Sequence, residues 1–561
     1  MHHTTTKVFY HTAMACILLL AAACSKDKSD VRAGNEPDYS NMAKSTVRLV
    51  TFTNSDVMVN GVKVTSWHFN PANSSLPDVP YPTPYFPSTG KLSGAWFLPQ
   101  QFLDGKGQAT IKTGLPQGAP APDIMTDSFQ VQDDYNHPWD YYLGTSAEAK
   151  NGIYTVSRVP RTTVLPSAPD HIRIRLVNLC TALGNGGSGT LSLAYADGTP
   201  VSNTTSGIGN HQWSDYIELP YGTYQFKVLI DGSNLQIPGK TPTLTEATSE
   251  DNFSLKGTQV YYSPVQTFQP GGVYTLAVGI GFGAYGYKEY PLYPNCFTVI
   301  TDITPAVNVT YGHVQLVNAF VDGNIQWQVD GANASTAAYG KGGSNSTLVT
   351  GAHTIKVMDA TGKVLVEKNI DLKGGDNLSL WVYPDVSGNA AITVVANNMG
   401  GIRVQGANPD GSDAANNIYD PLKFNMLVQT RFLNLCPDLP YVTFTGINGA
   451  LFQDGMFSAA AAAQQLQPGQ APAATVAPYP YVDLKVITGG NVQAYRSQPG
   501  VMPGDRLTDV PALTIMDFVR MPNYYFYNGN YGAEPGVYTV ALIGRSKAGQ
   551  HPKMIVIKHN Q

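Results

Sequence analysis

The sequence predicts an all-β chain of tandem immunoglobulin-like antiparallel β-sandwich domains with loop insertions. Three observations carry this: a strand pattern repeated four times, turn dipeptides at matching places, and a composition poor in charge. Charged residues make up 13% of the 561 residues, against about 25% in ordinary soluble domains. Gly (55), Pro (39) and Tyr (32) are abundant, so turn formers and strand formers dominate over helix formers. The length suits about three to five domains. The net charge of -5 comes with no basic stretch, which argues against a nucleic-acid partner.

The first copy of the pattern runs Val47-Arg48-Leu49-Val50, then Val57-Met58-Val59-Asn60-Gly61. The second runs Ile174-Arg175-Leu176-Val177-Asn178-Leu179-Cys180, then Leu191-Ser192-Leu193 and Asp197-Gly198. The third runs Val314-Gln315-Leu316-Val317-Asn318, then Ile325-Gln326-Trp327-Gln328-Val329-Asp330-Gly331. The fourth runs Arg431-Phe432-Leu433-Asn434-Leu435-Cys436, then Val442-Thr443-Phe444 and Asn448-Gly449. Each copy also closes alike, at Gly152-Ile153-Tyr154-Thr155-Val156, Gly272-Val273-Tyr274-Thr275, Asn377-Leu378-Ser379-Leu380-Trp381 and Gly536-Val537-Tyr538-Thr539. Between opening and close lies a further strand, such as Gly222-Thr223-Tyr224 in copy two and Gly351-Ala352-His353 in copy three. Period-two alternation puts one strand face on a core and leaves the other polar. Asn-Gly and Asp-Gly tolerate the positive φ of tight hairpins. Short strands punctuated by turns read as sandwiches.

Domains are therefore expected at 45–165 (with a Pro/aromatic insertion), 170–305, 311–400 (the minimal copy) and 425–561 (with an insertion). The Gly/Asn/Asp-rich stretch 401–424 reads as a linker. Ala459 to Ala463, within 456–467, suit one short helix ended by Pro468.

These opening strands, the Val-Asp-Gly hairpin and the Gly-Val-Tyr-Thr strand resemble domain of unknown function 4397. That family consists of immunoglobulin-like repeats in bacterial secreted and lipid-anchored proteins. The resemblance implies architecture and leaves function open.

The N-terminus carries a second resemblance. An apolar run from Ala13 to Ala23, too short to span a bilayer, ends at Ala21-Ala22-Ala23-Cys24. This looks like a bacterial lipoprotein signal, with Ala21 where the family has Leu. It implies a signal peptide at 1–23, lipidation of Cys24 and a flexible tether at 24–44. Cys16, mid-run, is the weaker cleavage site. Ser25 favours the outer membrane. Lys26-Asp27-Lys28-Ser29-Asp30 looks like the surface-export tether of Bacteroidota lipoproteins, the alternative being a plain solvated spacer. The membrane is thus an expected partner through lipid on Cys24. No later run of about 18 apolar residues suggests a spanning helix, and no outward apolar girdle suggests a transmembrane barrel.

Of the other cysteines, Cys180 and Cys296 fall in one domain; they either bridge it or pack as small hydrophobes. Cys180 and Cys436 stand at equivalent positions, which supports packing. None has a Cys or His at metal-ligand spacing.

Function on sandwiches sits in loops, and four aromatic clusters mark candidates. Tyr85 and Trp96 lie in the first insertion. Asp133, Asp134, Tyr135, His137, Trp139 and Asp140 precede the assumed close of copy one. Tyr285, Tyr287, Tyr290 and Tyr293 follow copy two, and Tyr525 and Tyr527 precede the close of copy four. Exposed rings beside Asp, Asn and His suit a sugar, whose apolar face stacks while amides and carboxylates take its hydroxyls. The competing reading is that the rings cover sandwich ends. Asp133, Asp134 and Asp140 match no regular calcium loop. His137 with these acids is the one cluster with acid–base potential, yet no nucleophile, phosphate-binding or zinc motif occurs. The expectation is a surface lipoprotein without catalysis, metal or cofactor, acting as a binding module for glycan, peptide or an outer-membrane protein, as an accessory to nutrient uptake. The alternative is a structural spacer or an adhesin-like or fimbrial-type subunit.

Overall fold

A computed structural model describes residues 42–51, 56–65, 83–87, 90, 92, 94–115, 124–145, 154–179, 190–196, 198–231, 244–246, 263, 265–280, 295–320, 323–397, 428–454, 459–471, 481–484, 492–518, 526–527, 530–531, 536–546 and 550–560. The described chain is all-β, with helical turns confined to 3-10 segments such as Ala460–Ala463. The latter is the one turn that forms where a short helix was expected. Four separate hydrophobic cores mark four sandwiches, as the repeated alternation requires.

Each sandwich contains one sheet of the same order: an edge strand, the opening strand, the closing strand and the final strand. The opening strands are Lys44–Thr51, His171–Leu179, Tyr311–Asn318 and Val428–Asn434. The closing strands are Trp139–Thr145, Val273–Ile280, Asn377–Pro384 and Gly536–Arg545. The final strands are Tyr154–Pro160, Asn295–Ile303, Ala390–Ala396 and Gln550–Lys558. Opening and closing strands pair in parallel, while their other neighbours are antiparallel. A second, antiparallel sheet completes each sandwich, such as Asn324–Val329, Ala332–Ala338, Gly351–Asp359 and Val364–Leu372 in repeat three.

Recurring residues have clear jobs. Asn60-Gly61 and Asp330-Gly331 turn with positive φ at both residues, as a two-residue hairpin requires. Asn318 and Asn434 end their opening strands, and their amides donate to loop carbonyls, Gly323 O at 3.1 Å and Leu439 O at 2.7 Å. Asn178 does the same to Ile208 O at 2.9 Å. In Gly-Val-Tyr-Thr the tyrosine ring folds back over the glycine. A Cβ on Gly272 would overlap Tyr274 Oη. That hydroxyl in turn accepts from Gln269 N at 3.0 Å, pinning the entry to the strand.

Copy one closes differently from the sequence expectation. The strand parallel to Lys44–Thr51 is Trp139–Thr145, not the one carrying Tyr154-Thr155-Val156, which is the final strand. The Tyr-Thr-Val alternation matches both kinds of strand, so composition alone misplaced it by one. Trp139, Asp140, Tyr141 and Tyr142 are consequently strand residues and not loop residues.

The sheets containing the opening strands do not face solvent. They bury their outer faces on one another, repeat one on two and three on four. Equivalent positions make both contacts. Val50 and Tyr142 meet Val177 and Ala277 in one pair, while Val317 and Trp381 meet Leu433 and Ala541 in the other. Two residues earlier stand Arg48, Arg175, Gln315 and Arg431, and each reaches the end of its neighbour's final strand. Arg48 Nη1 donates to Thr301 O at 2.7 Å, and Arg175 Nη1 to Pro160 O at 2.5 Å. Arg431 Nη2 donates to Ala396 O at 2.6 Å, and Gln315 Oε1 lies 3.2 Å from His559 Nδ1. The contact is reciprocal, the signature of an isologous interface, here between repeats of one chain. Fully burying each apolar side chain contributes about 1.5–3 kcal/mol.

Repeat two also touches the second pair. Tyr221 stacks on His313 with ring centroids 4.3 Å apart, and Val265 packs with Tyr481 and Val537.

Candidate functional site

The cluster 133–140 divides into a buried half and an exposed half. Asp140 points outward from its sheet, into the contact with repeat two, and is fully buried. Its Oδ1 accepts from Arg48 Nε at 2.9 Å and Arg161 Nη1 at 2.7 Å, and its Oδ2 from Arg48 Nη2 at 2.5 Å. Arg48 Nη2 also pairs with Asp302 of repeat two. Asp302 further accepts from Tyr216 Oη at 2.9 Å and Thr275 Oγ1 at 2.5 Å. Burial opposes the Arg48 charge, but Asp140 and Asp302 outweigh it and hold the guanidinium charged. Burial lowers the pKa of Arg161 in spite of Asp140. Such a network, with its partners satisfied from both repeats, acts as an interface lock and not as a ligand site.

Asp133 is likewise structural. Its Oδ1 accepts from Thr46 N at 2.7 Å and Thr46 Oγ1 at 2.6 Å, fastening the loop to the opening strand. Asp134 then makes a tight turn, its Oδ1 accepting from Asn136 N at 2.9 Å and His137 N at 3.0 Å. Those backbone donors, with His137 nearby, hold its carboxyl below the usual range. Beyond the turn Tyr135 is 64% exposed, and its hydroxyl accepts from Gln100 Nε2 at 2.7 Å. The His137 ring is exposed, with Nδ1 3.4 Å from Asp134 Oδ2. The adjoining loop is set by Asp104, which accepts from Lys106 N and Gln108 N, and it meets the first through Asp133 N to Gly107 O at 2.8 Å. One end of sandwich one thus presents Tyr135, Asn136 and His137 from a rigid turn.

Trp139 faces inward at the rim of the core, with the Arg158 guanidinium 3.9 Å over its ring. Trp96 is core, packed on Phe86 at 5.1 Å, and half-buried Tyr85 packs on Phe102 at 5.2 Å. These rings do not join Tyr135 in a platform. Tyr525 lies outside the described residues, as do Cys24, Cys180, the stretch 401–424 and the tyrosines 285–293. Tyr527 sits in a ribbon pairing Phe526–Tyr527 with Asn530–Tyr531, its side chain undescribed. Cys436 is a buried, unbridged core thiol whose pKa burial pushes up. Among the described residues no group of His, Cys, Asp and Glu is arranged to hold a metal, and no helix is long and apolar enough to cross a membrane.

The sequence reading missed the paired interfaces. Part of their signal was present: in the closing strand Gly536–Arg545 the run Val540-Ala541-Leu542-Ile543 is apolar on consecutive residues, the mark of burial on both faces.

No family model matches the chain, and no curated protein does. Among solved structures it is similar to a candidate adhesin from Bacteroides ovatus, at 11% identity over 46% of this chain and 99% of that one, TM-score 0.12. It is also similar to the glycogen-degrading pneumococcal virulence factor SpuA in a product complex, at 10% identity over 57% of this chain and 37% of that one, TM-score 0.12. Likeness at this level bears on neither fold nor function.

Proposed function

We propose that the chain is a cell-surface lipoprotein, held to the outer membrane by lipid on Cys24, that binds without catalysis through the tip of sandwich one. The observation that supports this reading is the Tyr135-Asn136-His137 turn, displayed to solvent and fastened on both sides by Asp133 and Gln100. A ring, an amide and an imidazole on a fixed backbone suit a glycan or a polar peptide segment of a neighbouring outer-membrane protein. Retention of residues 25–561 on a polysaccharide panel tests it. Binding that falls at least about tenfold in Tyr135→Ala, equivalent to about 1.4 kcal/mol, is the expected result. No retention by any polysaccharide removes the sugar version. Palmitate labelling abolished by Cys24→Ser, and protease access on intact cells, test the anchor and its orientation.

A spacer or adhesin-like subunit is the second reading. It is favoured by the placement of Trp96, Tyr85 and Asp140 inside packing and by the isologous pairing, which stiffens neighbouring repeats.

A further inference from the structure

The joint between the two sandwich pairs contains a titratable ring in an unusual setting. His313, on the opening strand of repeat three, is 8% exposed and stacks on Tyr221 of repeat two at 4.3 Å and 30°. Tyr311 flanks the stack, 5.8 Å from Tyr221, and packs against the core of repeat two. The connection between the repeats is short, from Ile303 to Tyr311, and Asn308 fixes it by accepting from Tyr311 N at 2.9 Å.

The polar groups around His313, the Asn377 side chain and the Tyr221 backbone, support a cation less than burial opposes it. Its strand neighbours are Thr347 and Asn377, which do not ionise. Asp376 offers His313 only its backbone carbonyl, and its carboxylate accepts from Lys373 N at 2.9 Å. On the repeat-two side, Asp170 offers Tyr221 its backbone carbonyl, and its carboxylate holds His171 at 2.8 Å. Among the described residues no ion pair reaches His313. Tyr221 and Tyr311 are neutral at physiological pH.

We infer that His313 makes the joint between the two sandwich pairs pH-responsive, docked at neutral pH and released on acidification. Burial lowers the pKa of His313, against weaker support for the charged form from Asn377 and the Tyr221 backbone. The sign follows. Docking is fully favourable above the ordinary histidine value near about 6.5 and weakens as pH falls through the window below it, by at most about tenfold per pH unit for one proton. Release would leave the two lateral pairs intact and let them pivot about residues 304–310.

Small-angle scattering of the mature chain at pH 7.5 and 5.0 tests this. The wild type should expand on acidification, and His313→Phe, which keeps a ring and loses the proton, should not. His171→Gln should expand like the wild type. No expansion of the wild type, or equal expansion of His313→Phe, overturns the inference. Should His313→Phe fold poorly, radical footprinting of the wild type decides. Tyr311 should lose protection below about pH 6.5 while Trp381, inside a lateral pair, keeps it. Unchanged protection of Tyr311, or simultaneous loss at both, contradicts the inference.

Discussion

Replacing Asp140 by Asn should unlock repeats one and two while leaving three and four unaffected. The substitution keeps the shape of the side chain and removes its charge. In the native site Arg48, Arg161 and Arg175 are buried with Asp140 and Asp302, so three positive groups face two negative ones. The variant leaves three against one. It also turns an amide NH2 toward Arg48 or Arg161, where an oxygen now accepts at 2.5–2.9 Å. Breaking a buried pair from one side costs about 3–5 kcal/mol. Hydrogen exchange reads this repeat by repeat, which matters because a chain of several domains has no single unfolding energy. Amides in Trp139–Thr145 and Val273–Ile280 should exchange about 10²- to 10⁴-fold faster, the equivalent of that energy. Amides in Asn377–Pro384 and Gly536–Arg545 should not change. Acceleration below about threefold, or equal acceleration in all four strands, would refute the role given to Asp140.

Trp381→Ala should cost about 3–5 kcal/mol and accelerate exchange in Val428–Asn434 as well as in its own strand, because the ring belongs to the contact between repeats three and four; an effect confined to repeat three would argue against pairing. Cys436 should resist a thiol reagent in the native chain and react after denaturation, since burial removes it from solvent and raises its pKa; native modification would contradict its core placement. His353 holds its charge more firmly than an ordinary histidine, because burial is outweighed by the hydrogen bond to Asp330 at 2.7 Å and by Val349 O. That support is fully present below about pH 6.5 and is lost as pH rises through the raised value. Asp330→Asn should lower the His353 midpoint in an NMR titration, and an unmoved midpoint would exclude the pair.

The sandwich class was legible because alternation and turn dipeptides act locally: Val57 to Gly61 and Ile325 to Gly331 each specify a hairpin from their own residues. The tip was partly legible, since Asp134 followed by Asn136 and His137 is a turn in any context. The fate of Asp140 and Trp96 was not. Both sit among polar or aromatic residues that look like a loop, and only their pairing with Arg48 and Phe86 buries them. The equivalence of Arg48, Arg175 and Arg431 was visible as a repeated letter. Its meaning depends on the end of a neighbouring repeat's final strand, 253 residues away for Arg48, 15 for Arg175 and 35 for Arg431, which no local pattern encodes.

Radical footprinting of the native chain at neutral pH tests the lateral pairing most directly. Tyr142 and Trp381 project from the outer faces of their sheets, where a row of unpaired sandwiches would show them to solvent. With repeat one paired on two and three on four, both should oxidise slowly while exposed Tyr135 oxidises rapidly. Oxidation of Tyr142 and Trp381 at a rate comparable to Tyr135 would contradict the pairing.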